Sequence, residues 1–241
     1  MRFSSFFLIL PAVMAAQDLG QQLPSANDVV AELLERDNQR QAALHGYTGL
    51  RRYVLENPRH HKRAEMLVTV TCLDDGSKQF RTVSATGWGI ARNHVFPKLL
   101  ESESEATRRD VREQSRITPE NYSFKMIGRD YVNQHPAYVI AITPKTQNKY
   151  LVHGRIWIDV DDYAIVRIEG KPAKNPSFWI KSVHFVHTYQ KSGSFWLPVS
   201  DHSVTDVRIL GTTELTIEYF DYSPNATTLS ALRKLAAGSR P

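Results

Sequence analysis

Apolar and polar residues alternate along most of this chain, and where the rhythm changes the structure must change with it. The first rhythm is helical. In SANDVVAELLERDNQRQAAL, Val29, Val30, Leu33 and Leu34 fall on one stripe at helical spacing. Ser25 stands where a helix cap is needed, and Asp28 occupies the position where a capping box prefers Glu or Gln. Beyond Gly46 the period becomes two. GYTGLRRYVLE, AEMLVTVTCL and SKQFRTVSATGW read as strands, with NPRHHKR joining the first pair and Asp74-Asp75-Gly76 turning between the second and third.

The strand rhythm stops between Gly89 and Asn121. Pro97 fits the first turn of a helix whose Leu99 and Leu100 would dock on a core, and the polar stretch ESESEATRRDVREQSR comes after it. An interruption of roughly thirty residues is too long for a hairpin loop and reads as a mobile cover. Strands then resume in NYSFKMIGRDYV, AYVIAITP, GRIWIDV, AIVRIEG, FWIKSVHFVHTY and SFWLPVSDHSV, and finally in VRIL with TELTIEYFDY. Hairpin-sized gaps separate several of them. The pattern predicts a mainly β, α+β fold of roughly ten antiparallel strands. Helices are expected at the N-terminus and in the interruption, with room for one in the last residues. With no glycine-rich linker and no fixed repeat, residues 17–241 read as one domain.

One face of such a sheet must be covered. Met66, Val68, Val70, Phe124, Met126, Ile156, Ile158, Val166, Ile168, Phe185, Leu215 and Ile217 are the candidates for it. Two short helices would cover that face in part and leave an apolar groove, whose ligand-binding residues would be Phe124, Met126, Ile156, Ile158, Val166, Ile168, Phe185, Leu215 and Ile217. The same residues would equally build a closed, dry core.

Composition adds two points. Hydrophobic residues are 41% and charged residues 23%, an ordinary globular balance rather than a disordered one. The net charge of +5 raises nucleic acid as a partner, but the densest basic runs, Arg59–Arg63 and Arg108–Arg112, are short, and the second carries Asp110. A solvated basic face with some attraction for anionic lipid headgroups fits better. The first sixteen residues combine Arg2, an apolar run from Phe6 to Val13 and small residues at Ala15 and Ala16. That is the build of a secretory signal peptide spanning residues 1–16, which leaves Gln17 as the new terminus and an exported, soluble chain.

Candidate chemistry is sparse. Asp159, Asp161 and Asp162 interrupt two alternating strands, as a hairpin turn does. A calcium loop starting at Asp159 would need an acid or amide at 163, glycine at 164 and glutamate at 170, where the sequence has Tyr163, Ala164 and Gly170. His184 and His187 are three apart in a strand and point to opposite faces, and His60 and His61 lie in a loop. Ser203, near His202, Asp201 and Asp206, sits within a strand rather than at a strand-to-helix elbow. Cys72 alternates with Val68 and Val70 as a small buried residue. Trp157, Trp179 and Trp196 read as core aromatics rather than base-stacking platforms. No catalytic residue, metal ligand set or cofactor motif emerges.

FKMIGRDYVNQHPAYVIAITPK followed by GRIWIDVDDYAIVRIEGKP resembles paired segments of the periplasmic outer-membrane lipoprotein-sorting (LolA-like) superfamily. The likeness runs over roughly residues 25 to 223 and rests on structural hairpins, and no individual ligand-contacting residue carries over. The resemblance implies a strongly curved, incomplete antiparallel barrel whose helix-covered concave side accepts lipid or lipoprotein acyl chains. It further implies a non-enzymatic periplasmic carrier or binding protein acting in lipoprotein sorting. Its partners would be lipid or acylated lipoprotein and a transient envelope membrane, with no nucleic acid. The alternative is an envelope protein-interaction or stress-sensing module of the same fold, working through sheet edges or the polar segment from Glu101 to Arg116. A hydrolase is disfavoured by the missing nucleophile constellation.

Overall fold

The structure, a computed structural model, describes residues 23–224. The expected signal peptide, its cleavage point and any C-terminal helix lie outside the described residues. Helix α1 spans Ala26–Ala43, and the Ser25 hydroxyl accepts the Asp28 N–H at 3.1 Å, so the serine caps as its position suggests. Strands β1 (Tyr47–Asn57), β2 (Lys62–Cys72) and β3 (Lys78–Gly87) come next. The turn between β2 and β3 closes through Leu73 N–H to Ser77 O at 2.8 Å, with Gly76 at φ +79° as the left-handed position requires.

The interruption is helical for most of its length, and Arg116 to Asn121 turn into the next strand. A π-helical turn, Ala91–Val95, leads into α2 (Phe96–Ala106), with Pro97 in its first turn, and then α3 (Arg109–Ser115). Strands β4 (Tyr122–Val132), β5 (His135–Pro144), β6 (Val152–Asp159), β7 (Ile165–Pro172), β8 (Ile180–Ser192), β9 (Phe195–Val207) and β10 (Gly211–Pro224) complete the described chain.

All ten strands form one antiparallel sheet in the order β3-β2-β1-β10-β9-β8-β7-β6-β5-β4. The sheet is curved but open, because its edges β3 and β4 do not pair with each other. Bulges in several of the pairings, among them Leu67/Val68, Met126/Gly128, Trp157/Ile158 and Thr188/Tyr189, increase local twist and bend the strands. The two free edges are consecutive in sequence, separated only by the helical interruption. The chain therefore leaves one rim of the half-barrel and re-enters at the other, which carries α2 and α3 across the open side.

Two apolar clusters share the concave face. In the first, Val29, Val30 and Leu33 of α1 pack on Tyr138, Ile140, Ile142, Ile156 and Ile158. In the second, Phe96 of α2 and Ala91 pack on Tyr53, Leu55, Met66, Val68 and Val70, with Leu99 and Leu100 at its margin. Leu99 and Leu100 dock as their spacing after Pro97 predicts. On the opposite face a smaller cluster joins Val139, Trp157 and Val166, with Trp196 against it.

Two strand limits differ from the sequence reading. VRIL does not open the last strand: β9 ends at Val207, and Arg208 to Leu210 form the turn into β10. Phe178 and Trp179 precede β8 in a loop instead of beginning the strand. In both places aromatic and β-branched residues favour a strand, while loop hydrogen bonds fix the backbone otherwise.

Candidate ligand-binding site on the concave face

The nine groove candidates divide into four places. Ile156 and Ile158 are fully buried beneath α1, with Phe124, Met126 and Ile168 half-buried around them. Leu215 and Ile217 border the α2 cluster. Phe185 belongs to neither cluster but shares the face, since it pairs with Ser203 of β9, which pairs in turn with Leu215. Val166 departs from expectation and lies on the opposite face, against Trp157. The cause is a bulge: Ile158 pairs with Ile165 and Trp157 with Arg167, leaving Val166 as the extra residue. Strict alternation carried through that bulge assigns Val166 to the wrong side.

Between the two helix-covered clusters the concave floor is less deeply covered. In β8 and β9 only Leu197 is fully buried. A polar network crosses this strip, built from residues that the sequence reading did not single out. The buried Arg51 guanidinium donates to Glu103 Oε1 on α2 at 2.5 Å, and Lys78 Nζ reaches the same oxygen at 2.9 Å. Arg51 also lies 4.7 Å from the centre of the Tyr219 ring. The Tyr219 hydroxyl donates to Asp201, whose other oxygen lies 2.6 Å from His187 Nδ1, and the His187 ring packs on Phe185 at 4.7 Å.

Burial alone would depress the Arg51 pKa, but Glu103, with Tyr219 and Tyr53 beside it, together outweigh burial and the guanidinium is raised. For Glu103 burial pushes upward, while Lys78 and Arg51 together hold the carboxyl below its usual range. Burial, and after it the Asp201 charge, raises the Tyr219 phenol, which stays a protonated donor. The network ties α2 to the floor and balances two cations, Arg51 and Lys78, with two carboxylates, Glu103 and Asp201.

A legible signal existed for these residues. Arg51 stands in phase with Tyr53 and Leu55, and Glu103 stands four residues after Leu99, so each places a charge on an otherwise apolar phase. A charge in that phase must find a buried partner.

Beside the strip, a cleft of about 440 Å³ opens between α1, α3 and the strands β7 to β9. Its apolar wall includes Leu33, Leu34, Ile117 and Ile165, and Tyr189 and Trp196 line it from the sheet. Burial, and next the Asp201 charge, raises the Tyr189 phenol. Asp37 faces the same cleft, and burial raises its carboxyl despite Arg40 and Arg116. A second cleft of about 430 Å³ adjoins it, sharing Arg40 and Trp196. These volumes fall within the ~300–1,000 Å³ of small-ligand sites.

The structure also places the remaining sequence candidates. Asp159 is buried and accepts the N–H groups of Asp161 at 3.0 Å and Asp162 at 2.8 Å, so this aspartate does shape the turn. Asp162 instead accepts from Trp196 Nε1 at 2.8 Å and Lys191 Nζ at 2.6 Å, joining this hairpin to β8–β9. His187 points inward to Asp201 while His184 approaches Glu169 at 3.8 Å, the opposite faces that their spacing requires. Among the described residues, no group of three or more His, Cys, Asp or Glu side chains could hold a metal ion. Cys72 is half-buried, and burial raises its thiol. Trp157 is core, but Trp179 is 55% exposed and is not. Among the described residues, no helix is long and apolar enough to cross a membrane.

The class defined by these features is an open, helix-lined half-barrel. A family model described as a family of unknown function, DUF5686, matches residues 117–223. Three solved structures show a similar arrangement. A DUF1329 family protein from Desulfovibrio piger is 10% identical, with coverage of 89% of this chain and 99% of that one and a TM-score of 0.44. A putative outer membrane lipoprotein-sorting protein domain from Vibrio parahaemolyticus is 11% identical, with coverage of 88% and 100% and a TM-score of 0.43. A LolA superfamily protein from Nitrosomonas europaea is 8% identical, with coverage of 83% and 94% and a TM-score of 0.37. At this level of likeness they decide neither ligand nor partner. Among curated proteins none matches the chain significantly.

Proposed function

We propose that this protein is a non-enzymatic carrier or binding protein for lipid or lipoprotein acyl chains in the bacterial periplasm. The observation that supports it is the strip of concave floor between the two helix-sealed clusters. There Phe185, Leu215 and Ile217 are only half-buried, and the neighbouring cleft adds Leu33, Leu34 and Ile165. An acyl chain laid on this strip would gain roughly 0.8 kcal/mol for each methylene removed from water, so about ten methylenes contribute roughly 8 kcal/mol before ordering costs. Helix α2 acts as the cover, and the Glu103 contacts with Arg51 and Lys78 hold it shut. Opening it widens access from the rim between β3 and β4. The polar network beneath would meet a headgroup or the polar end of a lipoprotein.

Native mass spectrometry of protein released gently from the cell envelope tests this reading. A mass increment matching one or more acyl lipids, removed by organic extraction, is the expected result. A second reading, an envelope interaction module, draws on edge strand β4, where Ile127 and Tyr131 stand exposed with no further strand alongside among the described residues. Wild-type protein that carries no lipid and takes up no fluorescent fatty acid would replace the carrier with that module.

A further inference from the structure

Two neighbouring loops at one end of the sheet expose large apolar side chains that the fold does not need. Phe178 is 74% exposed and Trp179 55% exposed in the loop before β8, and Ile209 is 70% exposed in the turn between β9 and β10. Their positions are fixed. Arg208 donates from its backbone N–H to Trp179 O at 2.9 Å and from Nε to Phe178 O at 2.8 Å, and its guanidinium lies 4.7 Å from the centre of the Phe178 ring. Asn175 Nδ2 ties the same loop to the carbonyls of Ile180 and Lys181. The Ile209 turn is anchored from the far side by the buried Asn57, whose Nδ2 donates to Leu210 O at 2.9 Å.

Cations surround these side chains. Arg208 is held by a carbonyl and a ring rather than by a carboxylate, and Arg59 lies against Gly211. Lys181 reaches the acid Asp206 only at 3.6 Å. A protruding aromatic pair and an aliphatic tip ringed by cations suit a bilayer interface, where Trp and Phe settle at headgroup depth and Lys or Arg meets anionic lipid. From this we infer that the tip formed by Phe178, Trp179 and Ile209, with Arg208, Lys181 and Arg59, docks the protein on a membrane surface bearing anionic headgroups. This goes beyond acyl-chain carriage, since the tip is built from loops at the strand ends and shares no residue with the concave strip.

Co-sedimentation of the full chain with phosphatidylcholine vesicles, with and without about 30% phosphatidylglycerol, tests the assignment. Wild-type protein should bind the anionic vesicles and bind the neutral ones less. Phe178→Ser with Trp179→Ser should lower partition about tenfold while leaving thermal unfolding unchanged, because both side chains are exposed. Ile209→Ser should reduce binding less, and Arg208→Gln should narrow the preference for anionic vesicles. Phe185→Glu, placed on the concave strip, should bind vesicles as wild type does, so failure of the carrier reading would leave this result standing. Wild-type protein that does not sediment with anionic vesicles, or a double variant that sediments equally, overturns the inference.

Discussion

Glu103 ties α2 to the sheet through Arg51 and Lys78, and its replacement by glutamine isolates that role. The Arg51 side chain is 3% exposed and that of Glu103 is 25%, with 2.5 Å between the charged atoms. An exposed ion pair contributes about 0–1 kcal/mol, whereas removing one partner of a buried pair costs about 3–5 kcal/mol. Arg51 cannot regain water, but Lys78 is better placed to, so the loss should sit at the lower end of that range, about 3 kcal/mol. Urea unfolding of Glu103→Gln reads this directly as a lower midpoint with an unchanged slope. Arg51→Met combined with Glu103→Leu removes the Arg51–Glu103 pair, leaves the part-exposed Lys78 to turn to water, and should recover to within about 1 kcal/mol of wild type. Amide exchange in Phe96–Ala106 should also quicken in the single variant. A single-variant loss below about 1 kcal/mol would show that the pair behaves as a surface contact and that Glu103 does not latch the cover.

Acid should act through the same group. The folded Glu103 carboxyl titrates below its ordinary value, so its stabilisation is present above an unfolded pKa of about 4.3 and is lost as pH falls through the lower folded value. The difference in stability between wild type and Glu103→Gln, measured by thermal unfolding, should therefore shrink only below about pH 4.3. Asp159→Ala should cost about 1–3 kcal/mol by stranding two N–H donors at a buried turn, while Asp161→Asn, on an exposed residue, should stay within about 0.5 kcal/mol; chemical denaturation of both separates them. Ile158→Glu, fully buried under α1, should abolish cooperative folding, whereas Phe185→Glu should keep the fold and lose uptake of a fluorescent fatty acid; circular dichroism and fluorescence titration check the pair.

The elements that sequence reveals here are those governed by local period. The stripe through Val29, Val30 and Leu33, the Ser25 cap, Pro97 ahead of Leu99 and Leu100, and the Gly76 turn each rest on interactions within a few residues. The features that escaped depend on partners far along the chain. Val166 is turned outward by a bulge that exists only because β6 and β7 pair as they do. Phe178, Trp179 and Ile209 are residue types that favour strands, yet the Arg208 hydrogen bonds hold them in loops. The curvature that sets two clusters apart is likewise a property of the assembled sheet. Arg51 and Glu103 lie 52 positions apart and meet only when α2 crosses the open side. Their charges on apolar phases were visible, but nothing local announced that each answers the other. The apolar face itself was legible, and its division into two sealed ends and a less covered middle was not.

The central claim is that acyl chains lie on the strip of the concave face formed by β8, β9 and β10. Irradiating the protein with a photoactivatable fatty acid and mapping the labelled peptides tests both the ligand class and its place. The account predicts saturable labelling, competed by unlabelled fatty acid, within Ile180–Ser192, Phe195–Val207 and Gly211–Pro224. Absence of saturable labelling, or labelling confined to the opposite face around Val139 and Trp157, would contradict it.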